Sequence, residues 1–282
     1  MNGFININKA SGVSSAREVG IIKRISGTPC GHMGTLDPMA SGVLPIAIGN
    51  AARLFDYFLS KRKKYVATFR FGVDYDTLDT TGNLISEGKR VPSREEILAV
   101  LPSLTGEIDQ IPPRYSAKCV NGKRGYMLAR SGEDFTLPPK RVSIYGIDLL
   151  SFDGVSEYVF GIECGGGTYV RSVARDMAEK LGTVAAMSAL VRTASGPFTI
   201  ENSVTTQELN ADNLAAHIIP TESLLPFDSF TASGKVQKRL LNGLSAECAL
   251  GDGTYKLFCE DGSFYGLAEV TDGAIKVRTK LC

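Results

Sequence analysis

Histidine is scarce in this chain of 282 residues, which holds only His32 and His217. Its six cysteines, at 30, 119, 164, 248, 259 and 282, never stand as a Cys-x-x-Cys pair. These two absences leave the usual zinc spacings unassembled, so no metal and no redox cofactor is expected, and the cysteines read as reduced and mostly structural. A Ser-His-Asp hydrolase would have to draw its base from His32, which weighs against that class. Also missing is any apolar run near the roughly 18 residues that a membrane span needs. Met1–Lys9 lacks the basic start, apolar centre and small-residue cleavage site of a secretory signal, so a cytoplasmic location away from membranes is expected. A composition of 43% hydrophobic and 22% charged residues is that of a globular chain, with room for one large domain and a small one.

Net charge is nearly absent too, at +1, but its distribution is uneven. Residues 1–70 carry +7, 71–111 carry −5, 112–141 carry +5 and 142–282 carry −6. Charge runs are commonly solvated faces. Here Lys61-Arg62-Lys63-Lys64 runs directly into Tyr65, and Arg114, Lys118, Lys123 and Arg124 are interleaved with Tyr115 and Tyr126. Cations for phosphate beside aromatics for bases is a composition suited to looped or single-stranded RNA.

Along the chain, Ser15 and Glu18 suggest a capping box for a helix over 15–26, with Val19, Ile22 and Ile25 on one face. A Gly- and Pro-rich loop follows. Tyr65, Ala67, Phe69 and Phe71 then alternate with Val66, Thr68 and Arg70 as a strand that Gly72 ends. Ser93 and Glu96 form a second capping box, opening a helix that Pro102 should stop. The stretch 112–141 has little periodicity beyond a short helix near Tyr126–Arg130, and reads as a functional insertion. Tyr158, Phe160, Ile162 and Cys164 predict another strand. Gly165-Gly166-Gly167 leads into a helix with Val170, Val173, Ala174, Met177 and Leu181 on one face, ending at Gly182. Near Leu225-Pro226-Phe227 the pattern changes to short strands with Gly/Asp turns at 251–253, 261–262 and 272–273, the mark of a small β-barrel or sandwich. The boundary is placed at 227.

The densest motif is Gly31-His32-Met33-Gly34-Thr35-Leu36-Asp37-Pro38-Met39-Ala40-Ser41-Gly42-Val43-Leu44-Pro45. Asp37 is its one carboxylate. It reads either as a helix cap before Pro38 or as a nucleophile or base on a rigid loop. Arg171 falls in the first turn of a helix, where a cation opposes the dipole by up to about 1 kcal/mol unless an anion sits nearby. That anion is either an RNA phosphate or Asp37. Arg175, one turn on, reads as structural through Asp176. Tyr65 is a core residue of its strand or a base-stacking face.

Taken in order, these motifs resemble the bacterial tRNA pseudouridine synthases of the TruB type. The likeness runs through Gly3-Phe4 with Lys9 and Ser11-Gly12, Gly31 to Pro45, Lys64-Tyr65, Asp76-Thr77 with Asp79 and Gly82, and Pro112-Pro113 with Tyr115-Ser116-Ala117. It continues in Gly122-Lys123-Arg124 with Tyr126 and Ala129-Arg130, in Gly167-Thr168-Tyr169-Val170-Arg171, and in Ser195-Gly196-Pro197-Phe198. The resemblance implies an α+β fold: a central mixed, mostly antiparallel sheet flanked by helices over 1–227, with a mobile RNA-clamping insertion at 112–141. A short PUA-like RNA-binding β-barrel would occupy 228–282.

It implies isomerisation of the uridine at position 55 of the tRNA T-loop, without cofactor, by a monomer needing no protein partner. Asp37 is then the nucleophile, Tyr65 stacks on the target base, Arg171 pairs with Asp37, His32 lies beside the flipped nucleotide, and Leu190 packs near the site. Lys9, Lys64, Lys123, Arg124, Arg130, Arg141 and Arg192 are the RNA-binding candidates. The chain departs from the family at Ala10, where proline is usual, at Cys119, where lysine is usual and Lys118 stands one place early, and at Val191 and Ala194, where arginines are usual. Weaker phosphate contacts and unchanged chemistry are expected. The rivals are a non-catalytic RNA-binding protein or tRNA-folding chaperone, and a glycoside hydrolase. The latter wants two carboxylates flanking a sugar bond, and only Asp37 stands in such a loop.

Overall fold

The alternation around Tyr65 builds the middle of a large sheet. In the computed structural model, which describes residues 2–116, 119–120, 122–131 and 135–282 and only the backbone of Cys119, Val120, Lys123, Arg124, Tyr126 and Arg130, the strand runs from Lys63 to Phe71. Antiparallel to it lie Glu157–Cys164 on one side and Ala185–Ser195 on the other. The path across the sheet is Gly3–Lys9, Ser41–Ile48, Ala185–Ser195, Lys63–Phe71, Glu157–Cys164, Lys140–Phe152, Gly106–Gln110. Every pairing along it is antiparallel except that of Ala185–Ser195 with Ser41–Ile48, which runs parallel through Val191↔Ser41 and Arg192↔Gly42. The mixed, mostly antiparallel sheet is the one expected.

Side chains of alternate residues serve two cores. Ile5, Ile7, Leu44, Ile46 and Phe69 point to the face covered by the Ser15–Ser26 and Val170–Lys180 helices, through Ile22, Val173, Ala174 and Met177. Phe4, Val43 and Ala47 point the other way, onto Phe58, Phe198 and Leu225 and onto Leu267 and Leu281 from the C-terminal part. Burial on both faces explains why Val43–Ile48 is apolar throughout.

The C-terminal part is a second sheet, ordered Ser229–Thr231, Gly253–Phe258, Phe264–Thr271, Ala274–Lys280, Ala246–Glu247. The Gly/Asp turns read from the sequence join its strands. One local expectation needs adjusting and another holds. Ser14, not Ser15, caps the first helix by accepting from the Arg17 amide at 3.2 Å, and Ser15 is left free to bond elsewhere. The helix capped by Ser93 and Glu96 ends at Val100, and the chain continues as one tight turn over Leu101–Leu104 that accommodates Pro102.

Candidate active site

Asp37 lies on the loop between two paired strands, Cys30–His32 and Ser41–Ile48. The loop is tied down on both sides. Ser15 Oγ donates to the Leu36 carbonyl at 2.8 Å and accepts from the Leu36 amide at 2.9 Å. The Gly12 amide reaches Pro38 O at 2.8 Å and Ser11 Oγ reaches Met39 O at 2.7 Å. A tight turn, Ala40 amide to Asp37 carbonyl, follows in place of a helix, so Asp37 caps nothing. Its side chain is 36% exposed, which leaves it open to a reactant.

Arg171, the second residue of its helix, reaches Asp37 Oδ2 with Nη2 at 2.9 Å. The guanidinium is buried, with Nη1 donating to Thr77 O at 2.9 Å and Nη2 to Tyr115 O at 3.2 Å. A second carboxylate, Asp79, lies at 3.4 Å from Nη1 and is itself held by Thr77 Oγ1 and by the amide and hydroxyl of Thr81. Two carboxylates thus compensate a cation placed at the wrong end of a helix dipole. Asp79 entered the sequence reading only as part of a motif. Its Asx-type turn, an aspartate bonding the amide two residues on, was the available signal.

Tyr65 is buried below Asp37's loop, and Leu190 stands on the next strand, opposite Ala67. Burial pushes the Tyr65 phenol above its ordinary pKa, opposed by the charge of the adjacent Arg192 guanidinium. His32 is half-buried, and burial lowers its pKa, favouring the neutral ring. Its Nδ1 is buried without a hydrogen-bond partner among the described residues. Tyr169, which precedes the helix, has its phenol raised by burial and shares the neighbourhood of Arg171 and Asp37.

The RNA-binding candidates separate into three groups. Lys64 and Arg141 are exposed, Lys64 at 3.8 Å from Glu163 and Arg141 bridging Glu107 at 3.4 Å and Asp109 at 3.2 Å. Lys9 and Arg192 must be corrected: both are fully buried and face backbone carbonyls, so neither can meet a phosphate. Lys9 Nζ donates to Ala10, Val13 and Pro38 at 2.9, 2.6 and 3.2 Å, and burial depresses its pKa. The side chains of Lys123, Arg124 and Arg130 lie outside the described residues, as does Lys118. Arg175 pairs with Asp176 at 2.6 Å, as a structural arginine should.

Sequence reasoning missed Lys63. Its side chain turns inward, its Nζ bonds the Leu59 and Lys61 carbonyls at 2.8 and 2.9 Å, and burial lowers its pKa to about 8. Nearby Cys164 is pushed up to about 11 by burial, which keeps it an unreactive thiol. A cavity of about 480 Å³ lies between Leu78, Pro113, Leu137 and Ala178, and Asp37 does not line it. Among the described residues no cluster of His, Cys, Asp and Glu suits a metal, and no helix is long and apolar enough to cross a membrane.

Comparison with known proteins adds two family matches that meet end to end. Residues 23–170 match the N-terminal domain of TruB family pseudouridylate synthases, and 171–226 match the tRNA pseudouridylate synthase B C-terminal domain. Among curated relatives, tRNA pseudouridine synthase B of Clostridium novyi is 38% identical over 293 aligned residues, covering 100% of both chains. That of Acaryochloris marina is 39% identical, covering 100% of this chain and 99% of the relative. A solved Cbf5-Nop10-Gar1 complex contains a chain of the same fold, with TM-score 0.72 at 24% identity, covering 99% of this chain and 85% of that one. Full-length likeness at this level, on a chain whose motif carboxylate Asp37 is anchored by a buried arginine, places the protein in the TruB family of pseudouridylate synthases.

Proposed function

We propose that the protein converts the uridine at position 55 of the tRNA T-loop to pseudouridine, with Asp37 as the catalytic residue. The observation that carries this is the Asp37–Arg171 ion pair: a carboxylate oxygen fixed at 2.9 Å, its other oxygen without a hydrogen bond among the described residues, on a loop that cannot drift. The target nucleotide leaves its stack at a cost of a few kcal/mol to reach it. The N1–C1′ bond breaks, the uracil turns against Tyr65, and C5 bonds to C1′. C5 then gives up its proton and N1 carries one, so the reaction is a balanced isomerisation that consumes no reductant or cofactor. Leu190 packs beside Tyr65, and His32, neutral by burial, contacts the flipped nucleotide.

Lys64 and Arg141 contact the RNA backbone together with Lys123, Arg124 and Arg130 of the 112–141 insertion, which clamps the stem-loop. Residues 1–227 form the catalytic unit. Residues 228–282 form a PUA-like RNA-binding unit, a reading supported by Lys276, Arg278 and Lys280 exposed along one strand. The enzyme acts as a monomer, without an obligate protein partner, in the cytoplasm. The test is nucleoside chromatography of a T-stem-loop transcript after incubation with the protein. Pseudouridine should appear, and a transcript with cytidine in place of the target uridine should yield none. Tight binding with no product from either would favour a chaperone.

A further inference from the structure

We infer that Arg192 is a positioning residue for this reaction, a clamp that sets the Asp37 loop against Tyr65. Its guanidinium donates through Nε to Val43 O at 2.7 Å, through Nη2 to Gly34 O at 3.1 Å and through Nη1 to Thr35 O at 3.4 Å. Gly34 and Thr35 precede Asp37 and Val43 follows it, so one planar fork holds both ends of the loop. Arg192 is 1% exposed, and among the described residues no carboxylate lies within ion-pair distance of it. Burying a cation without a carboxylate partner is costly, and the carbonyls that satisfy this one are those of the Asp37 loop.

The backbone of Arg192 makes the same junction. It pairs with Tyr65 on one side and with Gly42 on the other, within the short parallel pairing, Val191↔Ser41 and Arg192↔Gly42, that joins the sheet's two halves. Gly42 adopts φ +96°, and a Cβ there would overlap the Arg192 carbonyl oxygen, so the two strands are in close contact. The side chain also faces the Tyr65 phenol, where its charge and a hydrogen bond oppose the upward push of burial on the phenol's pKa. Lys63 adds a second buried cation on the same side. Loop, stacking face and their spacing therefore converge on one guanidinium. Lysine keeps the charge but not the fork.

This inference rests on the proposed isomerisation, and wild-type turnover of the T-stem-loop tests that separately. Arg192→Lys and Arg192→Gln are then compared by single-turnover rate at saturating protein, by the dissociation constant of the same RNA, and by melting. A displacement of about 1 Å at a reacting group costs on the order of a hundredfold. The expected result is a rate lowered about ten- to a hundredfold in folded Arg192→Lys, with RNA affinity within about twofold of wild type. An unchanged rate per folded molecule with only a lower melting temperature would reduce Arg192 to a structural role and overturn the inference. So would weaker binding with an unchanged saturated rate, which would make it a phosphate contact.

Should neither variant fold, the Nε–H resonance of Arg192 in wild-type protein decides. Protection from exchange, unchanged on adding RNA, supports the clamp. A shift on binding or rapid exchange refutes it.

Discussion

The rim of the site and the ground beneath it are both basic, yet they use their cations in opposite ways. On the rim, Arg62 and Lys64 share Glu163 at 3.1 and 3.8 Å with side chains more than 60% exposed, and Arg141 meets Glu107 and Asp109 in open solvent. Beneath the Asp37 loop, Lys9, Lys63 and Arg192 are buried, and backbone carbonyls take the place of carboxylates. Exposed pairs are worth little and exchange readily for a polyanion. Buried cations cannot be exchanged. They fix backbone, and so geometry. Arg171 stands between the two regimes, buried like the second group but aimed at Asp37, a carboxylate that opens to solvent.

Breaking the buried set should have the largest effects. Arg171→Leu leaves Asp79, 5% exposed, as an unpaired buried charge, and is expected to cost about 3–5 kcal/mol in urea unfolding and to abolish turnover. Lys63 sharpens the comparison through pH. Its pKa is about 8 when folded and 10.5 when unfolded, so between those values the unfolded chain holds the extra proton. Stability should rise with pH across that window, by up to about 3 kcal/mol, and Lys63→Met should flatten the rise relative to wild type. Lys9→Met should cost about 1–3 kcal/mol by stranding the carbonyls that Lys9 serves, again read by urea unfolding. Smallest is the rim: Lys64→Ala should leave stability within about 0.5 kcal/mol and lower the salt slope of RNA binding by about 1, measured by filter binding across ionic strength.

Much of this was legible in the sequence. The Gly/Pro loop announced Asp37, alternation placed the strand under it, and a cation in a helix's first turn pointed to a nearby anion. The buried cations were misread for a reason that periodicity itself could have supplied. Lys63 stands two residues before Tyr65, Lys9 two after Ile7, and Arg192 two after Leu190, each on the buried face of its strand. Charge drew them outward in the reading, whereas the period of two draws them in. What no local pattern encodes is the meeting of Arg171 with Thr77, Asp79 and Tyr115, which are brought together only by the closure of the fold.

The most direct test of the account uses a T-stem-loop transcript tritiated at uracil C5, with wild-type protein and Asp37→Asn. Wild type should release the tritium, and Asp37→Asn should release none while binding the RNA about as tightly. Tritium release by Asp37→Asn at the wild-type rate would contradict the claim that chemistry at this site runs through Asp37.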